Sequence, residues 1–230
     1  MRLGSKCETG AIRGDMLALV MFALASGALF AFAQLTGEVL EGETRAFDEA
    51  VLLALRQPQD VEAPIGPAWL RIFMTDLTSL GSATTLTLIT VLTASYLALT
   101  ARRGAAVFVL ASVAGGWLLS TALKLGVARP RPDIVGHLVV VNDLSFPSGH
   151  AMLSTVTFLT LGALLAQEQK ALALRLYFIG SAILLAVGVG FSRIYLGVHY
   201  PTDVVGGWSA GTGWAVACWL FARRLLARAA

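Results

Sequence analysis

Met16 to Leu35 reads MLALVMFALASGALFAFAQL, an uncharged run of twenty residues. At a rise of about 1.5 Å per residue, a helix of that length crosses a hydrocarbon core about 30 Å thick. Five more apolar runs follow: Ala83 to Thr100, Gly104 to Leu123, Ala151 to Ala166, Leu176 to Phe191 and Val204 to Ala222. The composition agrees, since 57% of the 230 residues are hydrophobic and only 13% charged, with a mean hydropathy of +0.75. Such a chain is neither an ordinary soluble enzyme nor disordered. The expected fold is all-α: one domain, residues 1–230, built as an integral membrane bundle of six transmembrane helices.

The net charge of +3 does not imply nucleic acid, because the basic residues form no contiguous stripe and membrane topology accounts for them. Arg2, Lys6 and Arg13, then Arg102 and Arg103, then Lys170 and Arg175, then Arg223, Arg224 and Arg228 all fall on one face of a six-span chain. Lys and Arg collect on the cytoplasmic side of short loops, so both termini are expected there. Small size and a bias to Ala, Leu and Arg suggest a bacterial cytoplasmic membrane. The opposite face carries Thr36 to Ser82, where Glu38, Glu41, Glu43, Asp48 and Glu49 outnumber Arg45, Arg56 and Arg71. Within it Phe47, Val51 and Leu55 recur at helical spacing, and Arg45 and Glu49 lie one turn apart. This predicts a short amphipathic helix in the first outer loop, packed over the bundle or lying on the membrane near the site mouth. A second reading of the first run, with its basic leader and Ala31-Phe32-Ala33, is a cleavable signal peptide; cleavage would leave the later spans as they are. Cys7 and Cys218, near opposite ends, make neither a disulfide framework nor a zinc pattern.

The unusual polar residues concentrate in three stretches, Lys124 to Pro132 (KLGVARPRP), Ser145 to His150 (SFPSGH) and Ser192 to Asp203 (SRIYLGVHYPTD), each at the outer end of an expected span. Ionisable groups there are costly near lipid and usually serve a site or one another. Lys124, Arg131 and Arg193 supply three cations whose donors suit phosphoryl oxygens, although any one alone could be a headgroup anchor. Ser148 follows a proline and precedes a span, which suits an N-cap, and Gly149 lets a ligand approach the backbone at a helix N-terminus, where phosphates bind. His199 and Asp203 are four apart, with Pro201 in the first turn of the last helix between them. A carboxylate there can accept an imidazole N–H and leave the other ring nitrogen free to attack.

Lys124, six residues and Arg131-Pro132; Pro147-Ser148-Gly149-His150; and Ser192-Arg193, five residues, His199, three residues and Asp203 together resemble the three-part signature of the type 2 phosphatidic acid phosphatase superfamily. The match spans residues 124–203 without departure, and the six-span layout is similar to the family's membrane branch. The resemblance implies a metal-independent phosphatase with no cofactor and a covalent phosphohistidine intermediate. His199 would be the nucleophile, Asp203 its orienting partner and His150 the general acid. Lys124, Arg131, Arg193, Ser148 and the Gly149 N–H would hold the phosphoryl oxygens. A site level with the outer headgroups implies a membrane lipid phosphate as substrate and the bilayer as partner. Undecaprenyl diphosphate, phosphatidylglycerol phosphate, phosphatidic acid and lipid A phosphates all present suitable groups, the first two fitting best the envelope lipid cycles that the family's compact bacterial members serve.

Three other readings share these residues. Metal-assisted hydrolysis would draw on Asp133, His137, Asp143, His150, His199 and Asp203, but the three cations suit a divalent metal poorly. A non-catalytic protein that binds or moves phospholipids would have no use for the His199–Asp203 spacing. Phosphoryl transfer to an acceptor other than water uses every residue named above. His137 and Arg129-Pro130 have no assigned role.

Overall fold

The computed structural model describes residues 4–228, with side-chain surroundings for residues 16–224. Arg2 therefore lies outside the described residues, as do the side chains of Lys6, Cys7, Arg13 and Arg228. Eight helices and a short hairpin appear among the described residues: α1 (Gly4–Glu41), α2 (Arg45–Ala54), β1 (Arg56–Gln57), β2 (Asp60–Pro64), α3 (Ala68–Ser79), α4 (Ala83–Leu99), α5 (Arg103–Val127), α6 (Gly149–Gln167), α7 (Leu172–Tyr195) and α8 (Pro201–Arg228). Each of the six apolar runs is helical to within one residue, in α1 and α4 to α8. Among the described residues, α1 (over Met16–Glu41), α5, α6 and α7 are each long and apolar enough to cross a membrane. The α3–α4 pair, bent by 47°, passes together as a fifth candidate.

Burial ranks the helices. In the most apolar window of α6, 61% of residues are buried, against 6% in α1, so α6 is the central post and α1 a rim helix facing lipid. α6 packs mainly on α7 and α8, while α1 lies along α8. Lipid tails are as apolar as leucine, so close approach between helices depends on small residues. Gly207 and Gly211, one turn apart on α8, provide it. A Cβ on Gly207 would fall 2.7 Å from the Ser148 carbonyl, and one on Gly211 would fall 2.7 Å from that of Met152. This stripe brings the start of α8 against the start of α6.

The segment between α1 and α4 holds more structure than its polarity suggested. α1 runs on through Glu41, and α3 and the hairpin occupy what reads as loop. α2 lies where the Phe47–Val51–Leu55 spacing predicts a helix, and Arg45 Nε donates to Glu49 Oε1 at 2.7 Å. Its burial differs from the apolar period: Asp48 and Leu52 are fully buried, while Phe47 is 60% exposed. The reason is tertiary, because Asp48 finds polar partners contributed by distant segments. Leu52 joins Val135, Ala151, Ile194, Tyr200 and Val204 in one apolar cluster, and full burial of such a side chain is worth about 1.5–3 kcal/mol. The hairpin also closes the end of α7. Arg56 Nη1 donates to the Tyr195 carbonyl at 3.0 Å, an acceptor that the C-terminus of α7 leaves open, and Nη2 to that of Gly136 in the α5–α6 loop at 3.3 Å.

Candidate active site

The site gathers at the ends of α5, α6, α7 and α8 that point the same way, together with the loops joining them. Lys124 stands in the last turn of α5, which stops at Ala128 in a left-handed conformation (φ 52°). The chain then passes through Arg129-Pro130-Arg131-Pro132 and an irregular loop to Ser148. Ser148 caps α6, its Oγ accepting the Ala151 N–H at 3.4 Å, and its own N–H donates to the Asp203 carbonyl at 2.9 Å. The first N–H groups of α6, beginning at Gly149, have no acceptor within the helix and carry the positive end of its dipole. Lys124 Cε lies 3.5 Å from where a Gly149 Cβ would be, so the lysine runs alongside this glycine. At the end of α7, Gly197 turns the chain with φ 75°, which an L side chain resists, and His199 follows two residues later.

All eight residues singled out in the sequence are thereby brought to one end of the bundle. His199 is 1% exposed. Its Nδ1 lies 3.4 Å from Asp203 Oδ2 and 3.4 Å from Ser145 Oγ, and its Nε2 lies 3.1 Å from Arg131 Nη1. One ring nitrogen thus faces a carboxylate and the other faces the cations. Asp203 is fully buried, and its Oδ2 also accepts the Tyr200 N–H at 2.9 Å and the Ser145 hydroxyl. His150, second in α6, has Gly81 of the α3–α4 bend against its ring and lies within the fields of Arg193, Asp143, Arg131 and Lys124. Arg193, 3% exposed, donates from Nη1 to Thr78 Oγ1 of α3 at 3.0 Å, while its buried Nε has no partner among the described residues.

Two of the cations share a carboxylate. Lys124 Nζ lies 3.0 Å from Asp143 Oδ2, and Arg131 pairs through Nη2 with Oδ1 of the same group. Arg131 Nε also donates to the Asp143 carbonyl at 2.7 Å. Burial alone would push the Asp143 carboxyl up, but Lys124 and Arg131 outweigh it and bring the pKa down to about 2. For His199 the main influence is burial, reinforced by the charges of Arg131, Arg193 and Lys124, and both push the imidazole well below its ordinary value of 6.5. At neutral pH it is therefore uncharged, with a lone pair available on one nitrogen.

Several members of the site were not marked by the sequence. Asp143 appears there only among possible metal ligands, and Ser145 only as the first letter of its stretch. Asp48 and Thr78 belong to elements whose polar residues carry no motif. Arg129, left unassigned, donates to Asp203 Oδ1 at 2.6 Å and Asp48 Oδ2 at 2.7 Å. His137 Nε2 lies 2.7 Å from the Pro132 carbonyl and shapes the loop. Among the described residues, no three His, Cys, Asp or Glu side chains are grouped as metal ligands.

A profile described as the PAP2 superfamily matches residues 105–226. Phosphatidylglycerophosphatase B of Bacillus subtilis is 32% identical over 186 residues, 78% of this chain and 85% of that protein. An undecaprenyl-diphosphatase of Sulfolobus acidocaldarius is 40% identical over a shorter stretch of 70 residues, 30% of each chain. The crystal structure of a transmembrane PAP2 type phosphatidylglycerolphosphate phosphatase from Bacillus subtilis superposes with a TM-score of 0.76 at 28% identity, over 87% of this chain and 96% of that one. The chain is thus a multi-pass, all-helical membrane protein, and it belongs to the PAP2 superfamily, in the branch of membrane-embedded lipid phosphatases.

Proposed function

We propose that this chain hydrolyses a lipid phosphomonoester or diphosphate through a phosphohistidine on His199. The observation that carries the reading is the division of the two His199 nitrogens: Nδ1 is turned to Asp203 and Nε2 to Arg131. With its N–H donated to Asp203, the imidazole keeps a lone pair on the side where a phosphoryl group would be held. Nε2 attacks phosphorus in line, the bond from phosphorus to the lipid oxygen breaks, and His150 gives that oxygen a proton. Water then attacks the phosphohistidine and the P–N bond breaks. His150 takes the water's proton, and inorganic phosphate leaves.

Such a reaction depends on positioning and on stabilising charge over the equatorial oxygens. Lys124, Arg131, Arg193, the Ser148 hydroxyl and the Gly149 N–H supply the donors. The unpartnered Nε of Arg193 is a buried donor whose isolation costs about 1–3 kcal/mol, a cost that a phosphoryl oxygen would remove. Such an oxygen must also replace Asp143 on Lys124 and Arg131. Six spans, with α8 among them and α3 and α4 as one bent unit, put both termini in the cytoplasm and the site at the outer headgroups of a bacterial cytoplasmic membrane. The basic residues at the far end of the bundle support this orientation. Phosphatidylglycerol phosphate, undecaprenyl diphosphate and phosphatidic acid are the substrates to try, the first two named in the relatives above. The test is phosphate release by detergent-purified protein across these lipids, with excess EDTA present. The reading expects release that survives EDTA; release that stops with the chelator, or none from any lipid, would contradict it.

A further inference from the structure

Arg129 is not among the residues that hold the phosphoryl group in the reading above, yet it is 12% exposed at the side chain and flanked by two fully buried carboxylates. Its two terminal nitrogens are divided between them. Nη1 donates to Asp203 Oδ1 at 2.6 Å and to Thr202 Oγ1 at 2.8 Å, and Nη2 donates to Asp48 Oδ2 at 2.7 Å. The Tyr200 ring lies beneath, 4.2 Å from Cζ. Asp48 in turn grips the start of α8: its Oδ1 accepts the Thr202 N–H at 3.0 Å and its Oδ2 the Thr202 hydroxyl at 2.6 Å. The residue after Thr202 is Asp203. We propose that Arg129 and Asp48 are positioning residues for the phosphoryl-transfer step, Asp48 fixing Arg129, and Arg129 fixing Asp203 with its other oxygen toward His199.

The geometry leaves the guanidinium little choice. A planar fork engaged at both tips cannot rotate without losing one carboxylate. With Oδ1 of Asp203 held by Arg129, Oδ2 is left to His199, Ser145 and the Tyr200 N–H. The α2 helix thus acts on the catalytic histidine through a relay from Asp48 to Arg129 to Asp203. Stability alone is a weak reason to keep such a cluster, because apolar residues of similar volume often do as well as a buried ion pair.

The inference rests on the phosphohistidine reading, and its test separates the two. Phosphate release from dioctanoyl phosphatidic acid by the full-length protein in detergent micelles is measured across pH for wild type, His199→Ala, Arg129→Gln, Asp48→Asn and the double variant Asp48→Asn/Arg129→Gln. Arg129→Gln is expected to lower kcat about 100-fold with KM held within about threefold, because an orienting contact acts on the transition state more than on binding. Loss of the cation beside Asp203 raises the proton affinity of that carboxylate, so the acidic limb of the kcat/KM profile moves to higher pH. Asp48→Asn is expected to lower kcat more weakly, about tenfold, and, because it removes an anion rather than a cation, to move the acidic limb slightly to lower pH; the double variant is expected to be no slower than Arg129→Gln alone, since the two act in series. Wild-type kcat and an unmoved acidic limb in both single variants would overturn the inference. So would a change confined to KM, or a loss of rate that only tracks the fraction of folded protein. If Arg129→Gln does not fold, Asp48→Asn decides on the same two readouts. Release that persists in His199→Ala, or that is absent in wild type from this lipid and from the others named above, overturns the phosphohistidine reading, and this inference with it. Release that needs His199 while Arg129 and Asp48 are silent overturns this inference alone.

Discussion

Arg129 and Arg131 stand two residues apart, each followed by a proline, and the fold turns them to different surroundings. Arg129 is shared between Asp48 and Asp203, both fully buried. Arg131 pairs with Asp143, whose side chain is 61% exposed, and borders His199 Nε2. The difference lies in the partners, since the two arginine side chains are about equally covered, at 12% and 10% exposed. A carboxylate sealed in the bundle cannot leave without uncovering a buried charge, whereas one at the surface gives way to water or to a competing anion. One guanidinium is locked between buried carboxylates; in the proposed reaction the other exchanges its exposed partner for the phosphoryl group.

Substitutions can break or sharpen that contrast. Asp203→Asn strikes where the framework meets the chemistry, and it is expected to cost about 10³-fold in kcat with little change in KM, as for a carboxylate that orients a catalytic histidine; steady-state kinetics beside a melting curve checks this. An effect on melting alone would make Asp203 structural. Arg131→Ala is expected to lose about 10²-fold in kcat/KM while melting like wild type. Arg129→Ala is the reverse in stability: breaking a buried ion cluster is expected to lower unfolding free energy by about 3 kcal/mol, visible as a lowered Tm in detergent. Equal melting of these two variants would erase the distinction.

The smallest expected effect concerns the exchangeable carboxylate. Asp143→Asn weakens the competitor for Lys124 and Arg131, so KM is expected to fall about twofold to fivefold, in proportion to the fraction of cradle set free. Inhibition by inorganic phosphate should tighten alongside. Because the Asp143 pKa is depressed to about 2 from its ordinary 3.8, its pairing supports the fold fully above that ordinary value and is lost as pH falls toward 2. The KM difference between wild type and Asp143→Asn is therefore expected to stay level from pH 5 to 8. For His199 the sign is opposite in its origin. A depressed imidazole stays neutral in the fold while the unfolded chain takes up a proton below about pH 6.5, so stability falls as pH drops below that value.

What the sequence disclosed and what it concealed divide along the same line. Lys124, Arg131, Ser148, Gly149, Arg193, His199 and Asp203 were legible because each sits in a short stretch at a helix end, where a polar residue in an apolar chain stands out. The helices were legible for the same reason, as apolar runs of sufficient length. Asp48 was not, because its partners lie 81 and 154 residues away and nothing within α2 separates a buried aspartate from a solvated one. The apolar period put Phe47 on the packing face, and a polar contact of tertiary origin took that place. Thr78 was hidden likewise, since α3 lies in a stretch too polar to read as a span and meets Arg193 only through the fold.

The central claim is that His199 carries the phosphoryl group. Its most direct test is to mix the protein with a lipid phosphate labelled in the phosphoryl group, quench in alkali, where phosphohistidine survives, and locate the label by peptide mass spectrometry in wild type, His150→Ala and His199→Ala. Label is expected on His199 in wild type and none in His199→Ala, while His150→Ala, lacking the acid of the first step and the base of the second, is expected to gain and lose the label more slowly on the same residue. Label on another residue, or turnover of the lipid by His199→Ala, would contradict the claim.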